Sequence, residues 1–206
     1  MSKEVDVGGA LPRRQAGGRT QAKDKRRATL LDTAQTVFLE KGYEATTVND
    51  ILDAAGLSKG GFYHHFKSKD DVLDALRVRY TRRFLCTVEA RVAALPADAM
   101  QERFQEWIRA YLDAYFATYT VHDLVYHSVH WNRSSEDREA VIASVARLLE
   151  QGMTQGAWRL AAPKFTATLI YAAIHGMADE AIASRTDNPP EVAQRLHAAL
   201  RLLLAP

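Results

Sequence analysis

Gly56 falls between two helix-start signals, and that arrangement restricts the chain more than any other feature. Thr47 is followed three residues later by Asp50, an acidic form of the capping box, so a helix begins there. Ile51, Leu52 and Ala55 give it one apolar face, and Gly56 ends it after about two turns. Ser58 then caps a second helix whose first three positions are Lys59, Gly60 and Gly61. Ser68 with Asp71 repeats the capping spacing and opens a longer helix carrying Val72, Leu73, Leu76, Tyr80, Val88 and Val92, closed by Pro96.

The stretch "LSKGGFYHHF", Leu57 to Phe66, is therefore a turn and a short helix. A phosphate-cradling glycine loop would need a preceding buried strand and a Lys-Ser or Lys-Thr pair directly after its last glycine, and neither is present. His64 and His65 are adjacent, so on a helix they point about 100° apart and do not chelate one metal. Two short helices joined by a glycine turn make a helix-turn-helix, whose second helix enters the DNA major groove with its N-terminal end leading. Glycines at that end let the backbone approach DNA closely, and Phe62 and Phe66 share the face that packs inward.

Elsewhere the period is helical as well. Leu30, Leu31, Ala34, Val37 and Phe38 predict a helix over about 24–41, ended at Gly42. Further helices are expected at about 98–119, 121–131, 135–156, 163–185 and 189–204, with no competing strand pattern. The fold class is all-α. Residues 1–21, rich in Gly, Arg and Gln without periodicity, read as a disordered basic arm. Residues 22–70 read as the helix-turn-helix domain, and 71–206 as a second helical domain.

Charge supports a polyanionic partner for the first part. Residues 1–70 hold 12 Lys and Arg against 9 Asp and Glu, whereas the remainder holds 15 against 16. No apolar run of about 18 residues is available to span a bilayer, and the N-terminus lacks the apolar block of a signal peptide, so a cytoplasmic, membrane-free protein is expected. Cys86 is the single cysteine and forms no internal disulfide. No nucleophile with a base, and no catalytic loop, is recognisable, so no enzyme and no cofactor are expected.

From about Arg26 to Leu73 the chain resembles the DNA-binding domain of TetR-family transcriptional regulators, carrying "AQTVFLEKGYEATTVNDILDAAGLSKGGFYHHFKSKDDVL". The resemblance implies that Thr47, Tyr63, His64 and Lys69 contact phosphate, with Lys67 beside them. It implies that Ser58, Lys59, Gly60 and Gly61 face the groove. Gly61 departs from the many relatives that carry a small side chain there, which shifts specificity toward Lys59 and indirect readout. It further implies a homodimer on a palindromic double-stranded operator, usually a repressor, whose second domain binds a small-molecule effector. A DNA-binding protein with no effector is the alternative.

Two apolar seams suit dimerisation: Phe165, Leu169, Ala173 and Gly176 in one helix, and Val192, Leu196, Leu200 and Leu203 in the last. Both also suit closure of the monomer's own core. Trp107, Tyr111 and Tyr115 recur every four residues and, with Tyr126, His127 and His175, are the candidate effector site. The same stripe is compatible with a packed core. His127 and His130 have a chelating spacing but no acidic or thiol partner at a matching one, so no metal is expected.

Overall fold

The computed structural model describes residues 16–127, 136–185 and 188–204. Among them are eight α-helices, a final 3₁₀ turn and no strand. Helix α1 spans Ala16–Lys41, α2 Val48–Ala55, α3 Lys59–Tyr63 and α4 Lys69–Ala93. They are followed by α5 (Met100–His127), α6 (Glu136–Thr154), α7 (Pro163–Ala183), α8 (Pro189–Leu200) and the turn Arg201–Leu204.

The caps read from the sequence set the N-terminal boundaries. Thr47 Oγ1 accepts from the Asp50 amide at 3.2 Å while Asp50 Oδ2 accepts from the Thr47 amide at 2.7 Å, the reciprocal pair of a capping box. Ser58 accepts from the Gly61 amide at 3.3 Å, and Ser68 from the Asp71 amide at 3.1 Å. Gly42 and Gly56, at φ of 83° and 62°, occupy the left-handed region that ends α1 and α2.

One expectation is revised. Helix α1 starts at Ala16, inside the stretch assigned to a disordered arm; residues 1–15 lie outside the described set. The break expected between helices at 98–119 and 121–131 is present as a kink at Thr118, whose φ and ψ are −123° and 15°, so that α5 is two helical segments in one continuous run. The Thr118 hydroxyl bonds the Ala114 carbonyl four residues back at 2.6 Å, a contact that competes with the helix ladder and bends it. Residues 128–131 of the expected second helix lie outside the described set.

The bend lets α5 serve two hydrophobic cores. Before it, Phe104, Ile108 and Leu112 join α4, α6, α7 and α8 in the larger core. After it, Leu124 and Val125 join Leu30, Phe38, Ile51, Phe62, Val72 and Leu76 in the core beneath the helix-turn-helix. Tyr80 of α4 packs against both. Helix α4 is thus the continuous rod between them, and α5 braces it from the side.

The last helix settles one ambiguity. Leu196 and Leu200 are buried within the monomer, so they close its own core and do not form an open seam, whereas Leu203 is exposed. Helix α7 differs: Phe165 is 65% exposed, and Leu169 and Met177 also face outward.

Candidate nucleic-acid interface and adjoining cavity

Helix α3 is held from below and open above. Phe62 and Phe66 are buried, with ring centroids 6.1 Å apart, while Lys59, Gly60, Tyr63, His64 and Lys67 are exposed. The two glycines are not required by the chain's own packing. A Cβ on Gly60 would meet nothing within 4 Å, and one on Gly61 would make only ordinary contacts of 3.6 Å and 3.8 Å with Ser58 and Leu57. Their effect is to leave bare backbone at the head of the helix, where a docking surface can approach closely. Ser58 caps that head and is itself exposed.

Two residues expected to contact phosphate are already engaged. The exposed Thr47 hydroxyl donates to Asp50 Oδ2 at 2.7 Å as well as capping α2. The Lys41 ammonium, 2.6 Å from Asp50 Oδ1, and the Thr47 hydroxyl hold the Asp50 carboxyl well below its usual range. Lys69 is a clearer revision. Its ammonium turns inward to the carbonyls of Tyr43 at 2.7 Å, Thr46 at 2.9 Å and Glu44 at 3.4 Å, and sits 4.2 Å from the centre of the Tyr43 ring. An ammonium has three donors, so these contacts use its hydrogen-bonding capacity. Lys69 therefore clamps the α1–α2 connection to the start of α4, and the phosphate role implied for it is not supported by this geometry.

Other basic groups stand nearer the exposed helix. Lys25 and Arg26 of α1 share a groove of about 670 Å³ with Gly60, Gly61, His64 and His65. Arg27 lies 4.9 Å over the Phe66 ring. Burial, then His64 and the nearby Lys23, Arg27 and Arg26, push the His65 proton affinity down. The basic groups among those causes make a local field that favours an anion. The sequence signal was available in the Lys25 to Arg27 run, but which side of α1 faces α3 is a tertiary fact.

Beyond the helix-turn-helix core, α4, α5, α6 and α7 line a cavity of about 440 Å³. Of the candidate residues, Tyr111, Tyr115, Tyr126 and His175 line it. Trp107 does not: it is 1% exposed, packed in the core with its ring 5.4 Å from that of Tyr111. The His127 side chain lies outside the described set. The missed lining comes from neighbouring helices: Tyr80, Thr81 and Phe84 on α4, Asp137 and Arg138 on α6, and Tyr171 and Asp179 on α7, with His122 from α5. Tyr171, His175 and Asp179 recur every four residues on an otherwise apolar helix, a polar stripe that was legible in retrospect.

The walls are tied to one another. Tyr111 Oη and His175 Nδ1 are 3.2 Å apart, the Tyr115 hydroxyl donates to Asp179, and Tyr80 Oη lies 3.0 Å from Thr118 Oγ1. Tyr126 Oη lies 2.5 Å from Thr81 Oγ1. Burial raises the pKa of Tyr80 to about 12, and burial raises those of Tyr111, Tyr115 and Tyr126 further, the Asp179 carboxylate adding to the effect at Tyr115. All four phenols therefore remain protonated near neutral pH. Burial also pushes the Asp137 carboxyl up, against the opposing influence of Arg77 and a hydrogen bond from Thr81.

Residues 30–76 match the family model described as bacterial regulatory proteins, tetR family. Over 84 residues the chain is 42% identical to the HTH-type transcriptional repressor KstR2 of Rhodococcus jostii, covering 41% of this chain and 39% of that relative's length. It is 29% identical over 161 residues to the HTH-type transcriptional regulator YfiR of Bacillus subtilis, covering 70% of this chain and 73% of that one. A TetR-family transcriptional regulator of known structure from Pectobacterium atrosepticum superposes with a TM-score of 0.69 at 28% identity, covering 89% of this chain and 94% of that one. Among the described residues no helix is long and apolar enough to cross a membrane.

Proposed function

Because the chain belongs to the tetR family of bacterial regulatory proteins, we propose that it is a homodimeric transcriptional regulator, a repressor released from its operator by a small molecule. Residues 22–70 carry DNA recognition, and residues 71–206 carry effector binding and dimerisation. Lys59, Gly60 and Gly61 lead α3 into the major groove, Tyr63, His64 and Lys67 reach phosphates, and Lys25 and Arg26 extend the phosphate contact onto α1. The effector occupies the cavity lined by Tyr111, Tyr115, Tyr126 and His175. The exposed apolar face of α7 meets its copy in a second protomer.

The observation that carries this reading is the exposed, capped head of α3, joined by the uninterrupted α4 to a cavity 440 Å³ in volume. That cavity also favours an effector-responsive protein over one that only binds DNA. A single recognition helix reads a few base pairs, so two related by a two-fold axis are needed for a specific site. Selection from random DNA with the purified chain is the test. The retained fragments are expected to share a near-palindrome with half-sites about one helical turn apart, and enrichment of no common element overturns the reading.

A further inference from the structure

The cavity's walls restrict what it can hold. Of its five tyrosines, Tyr80, Tyr111, Tyr115 and Tyr126 have hydroxyls engaged with other wall or helix groups. The hydroxyls being engaged, a guest meets mainly the aromatic rings, whose faces carry the negative side of the quadrupole. Phe84 adds another ring, 4.9 Å from that of Tyr111. The ionisable groups of the described lining, phenols aside, are two carboxylates, Asp137 and Asp179, one guanidinium, Arg138, and the imidazoles of His122 and His175.

The disposition of those charges is informative. Arg138 sits 5.6 Å over the Tyr171 ring, so one face of this aromatic wall already supports a cation of the protein's own. Arg77, the cation acting on Asp137, directs its guanidinium to Asp74 at 2.7 Å and to the Val125 carbonyl at 3.0 Å. Asp137 is thus a carboxyl group in a desolvated aromatic setting, and Asp179 on α7 accepts from the Tyr115 hydroxyl beside His175, 4.0 Å away. A guest anion would find one guanidinium, Arg138, against two carboxylates and the aromatic walls. A guest cation would gain from both.

Resting on the reading of this cavity as the effector site, we infer that its ligand is an organic ammonium ion with an aromatic or apolar body. The ammonium sits between the rings and the carboxylates of Asp137 and Asp179, and the body fills the space beside Phe84 and Val141.

The test compares three probes of similar size on the full chain by calorimetry: N,N,N-trimethylanilinium, its neutral carbon isostere tert-butylbenzene, and benzoate. The cation is expected to bind at least tenfold more tightly than either of the others. That preference is expected to fall to less than threefold in the Asp137→Asn, Asp179→Asn double variant, with helical circular dichroism and cooperative melting reported alongside. Both amides keep an acceptor for the neighbouring hydroxyls, so the change removes charge with little change of shape. Equal binding of cation and isostere, tighter binding of benzoate, or no calorimetric binding of the cation at millimolar concentration overturns the inference, and the comparison in the unmodified protein does not depend on the variant folding. Operator affinity is measured separately with and without trimethylanilinium. Cation binding that leaves operator affinity unchanged sinks the effector reading while leaving the ligand class standing.

Discussion

Thr81 on α4 and Tyr126 on α5 share a hydrogen bond of 2.5 Å at the point where the cavity wall becomes the floor of the DNA-binding core. Tyr126 packs against the N-terminal core and also lines the cavity. Arg77 Nε bonds the Val125 carbonyl one residue earlier, so two polar contacts join the end of α5 to α4 within a short distance. A ligand that moves Tyr126 must act on α4, and hence on the spacing of two recognition helices in a dimer. For a coupling of about 1–3 kcal/mol the operator is weakened roughly 5- to 150-fold, and DNA weakens ligand binding by the same factor. Thr81→Val removes the joint. It is expected to lower stability by about 1 kcal/mol, because the Tyr126 hydroxyl loses a partner, and to reduce the coupling factor. Operator titrations with and without a cavity ligand identified by thermal shift measure it; an undiminished factor would mean that α4 is moved by other contacts.

Lys59 and Lys69 are expected to separate cleanly despite lying ten positions apart on the same motif. Lys59→Ala removes a free charge at the head of α3, so the log–log salt slope of DNA binding falls by about one and sequence preference relaxes. Lys69→Ala instead loosens the loop held by the Tyr43, Glu44 and Thr46 carbonyls. Its cost is about 2 kcal/mol of folding stability, from charge-assisted hydrogen bonds, with little change in the salt slope. Denaturant unfolding and salt titrations of both variants decide. A reduced slope for Lys69→Ala would restore the phosphate role that its sequence position implies.

Local signals were the legible ones. Thr47, Ser58 and Ser68 cap the helices that their spacing predicted, and Gly42 and Gly56 stop them, because a cap is written in residues a few positions apart. The start of α1 was not legible: the described residues of its first half are exposed up to Thr29, so no buried face imposes a period there. Trp107 and Tyr111 lie on one face of α5, yet one is core and the other cavity wall, because α5 is surrounded and periodicity cannot separate packed from hollow surroundings. Lys69 turns inward for a reason 23 to 26 residues away in sequence. The cavity's carboxylates and Arg138 were missed because they converge from helices whose mutual placement is a property of the fold.

Acidification should destabilise the protein through two histidines. Burial lowers the proton affinity of His197, with Arg201 adding to the effect, and burial with neighbouring positive groups lowers that of His65. With the folded value below the unfolded one, the unfolded chain binds more protons in the interval between them, so stability rises with pH there. Stability is therefore expected to fall as pH drops through the ordinary histidine value of about 6.5, and to level off below the folded values. The Asp50 contribution lies lower: its carboxyl is depressed, so that stability is lost only below about pH 4. His197→Gln should flatten part of the melting-temperature change between about pH 7.5 and 5.5. An unaltered pH profile would place the dependence elsewhere.

The sharpest contrast concerns two apolar residues that sequence alone placed in the same kind of seam. Phe165 on α7 is 65% exposed, and Leu200 on α8 is 6% exposed within the large core. Phe165→Glu puts a charge on the surface of the free chain, where it costs little, but buries it without a partner in a two-fold α7 contact. The variant should fold with near-normal stability, sediment as a monomer at concentrations where the parent is a dimer, and lose affinity for a palindromic operator while keeping weak, salt-sensitive binding to any DNA. Leu200→Glu places the same charge inside the monomer and should cost about 3 kcal/mol or more, so it is expected to melt at markedly lower temperature whatever its concentration. Sedimentation equilibrium and thermal unfolding across a dilution series distinguish the two. If Phe165→Glu left the dimer intact, the α7 face would not be the subunit contact.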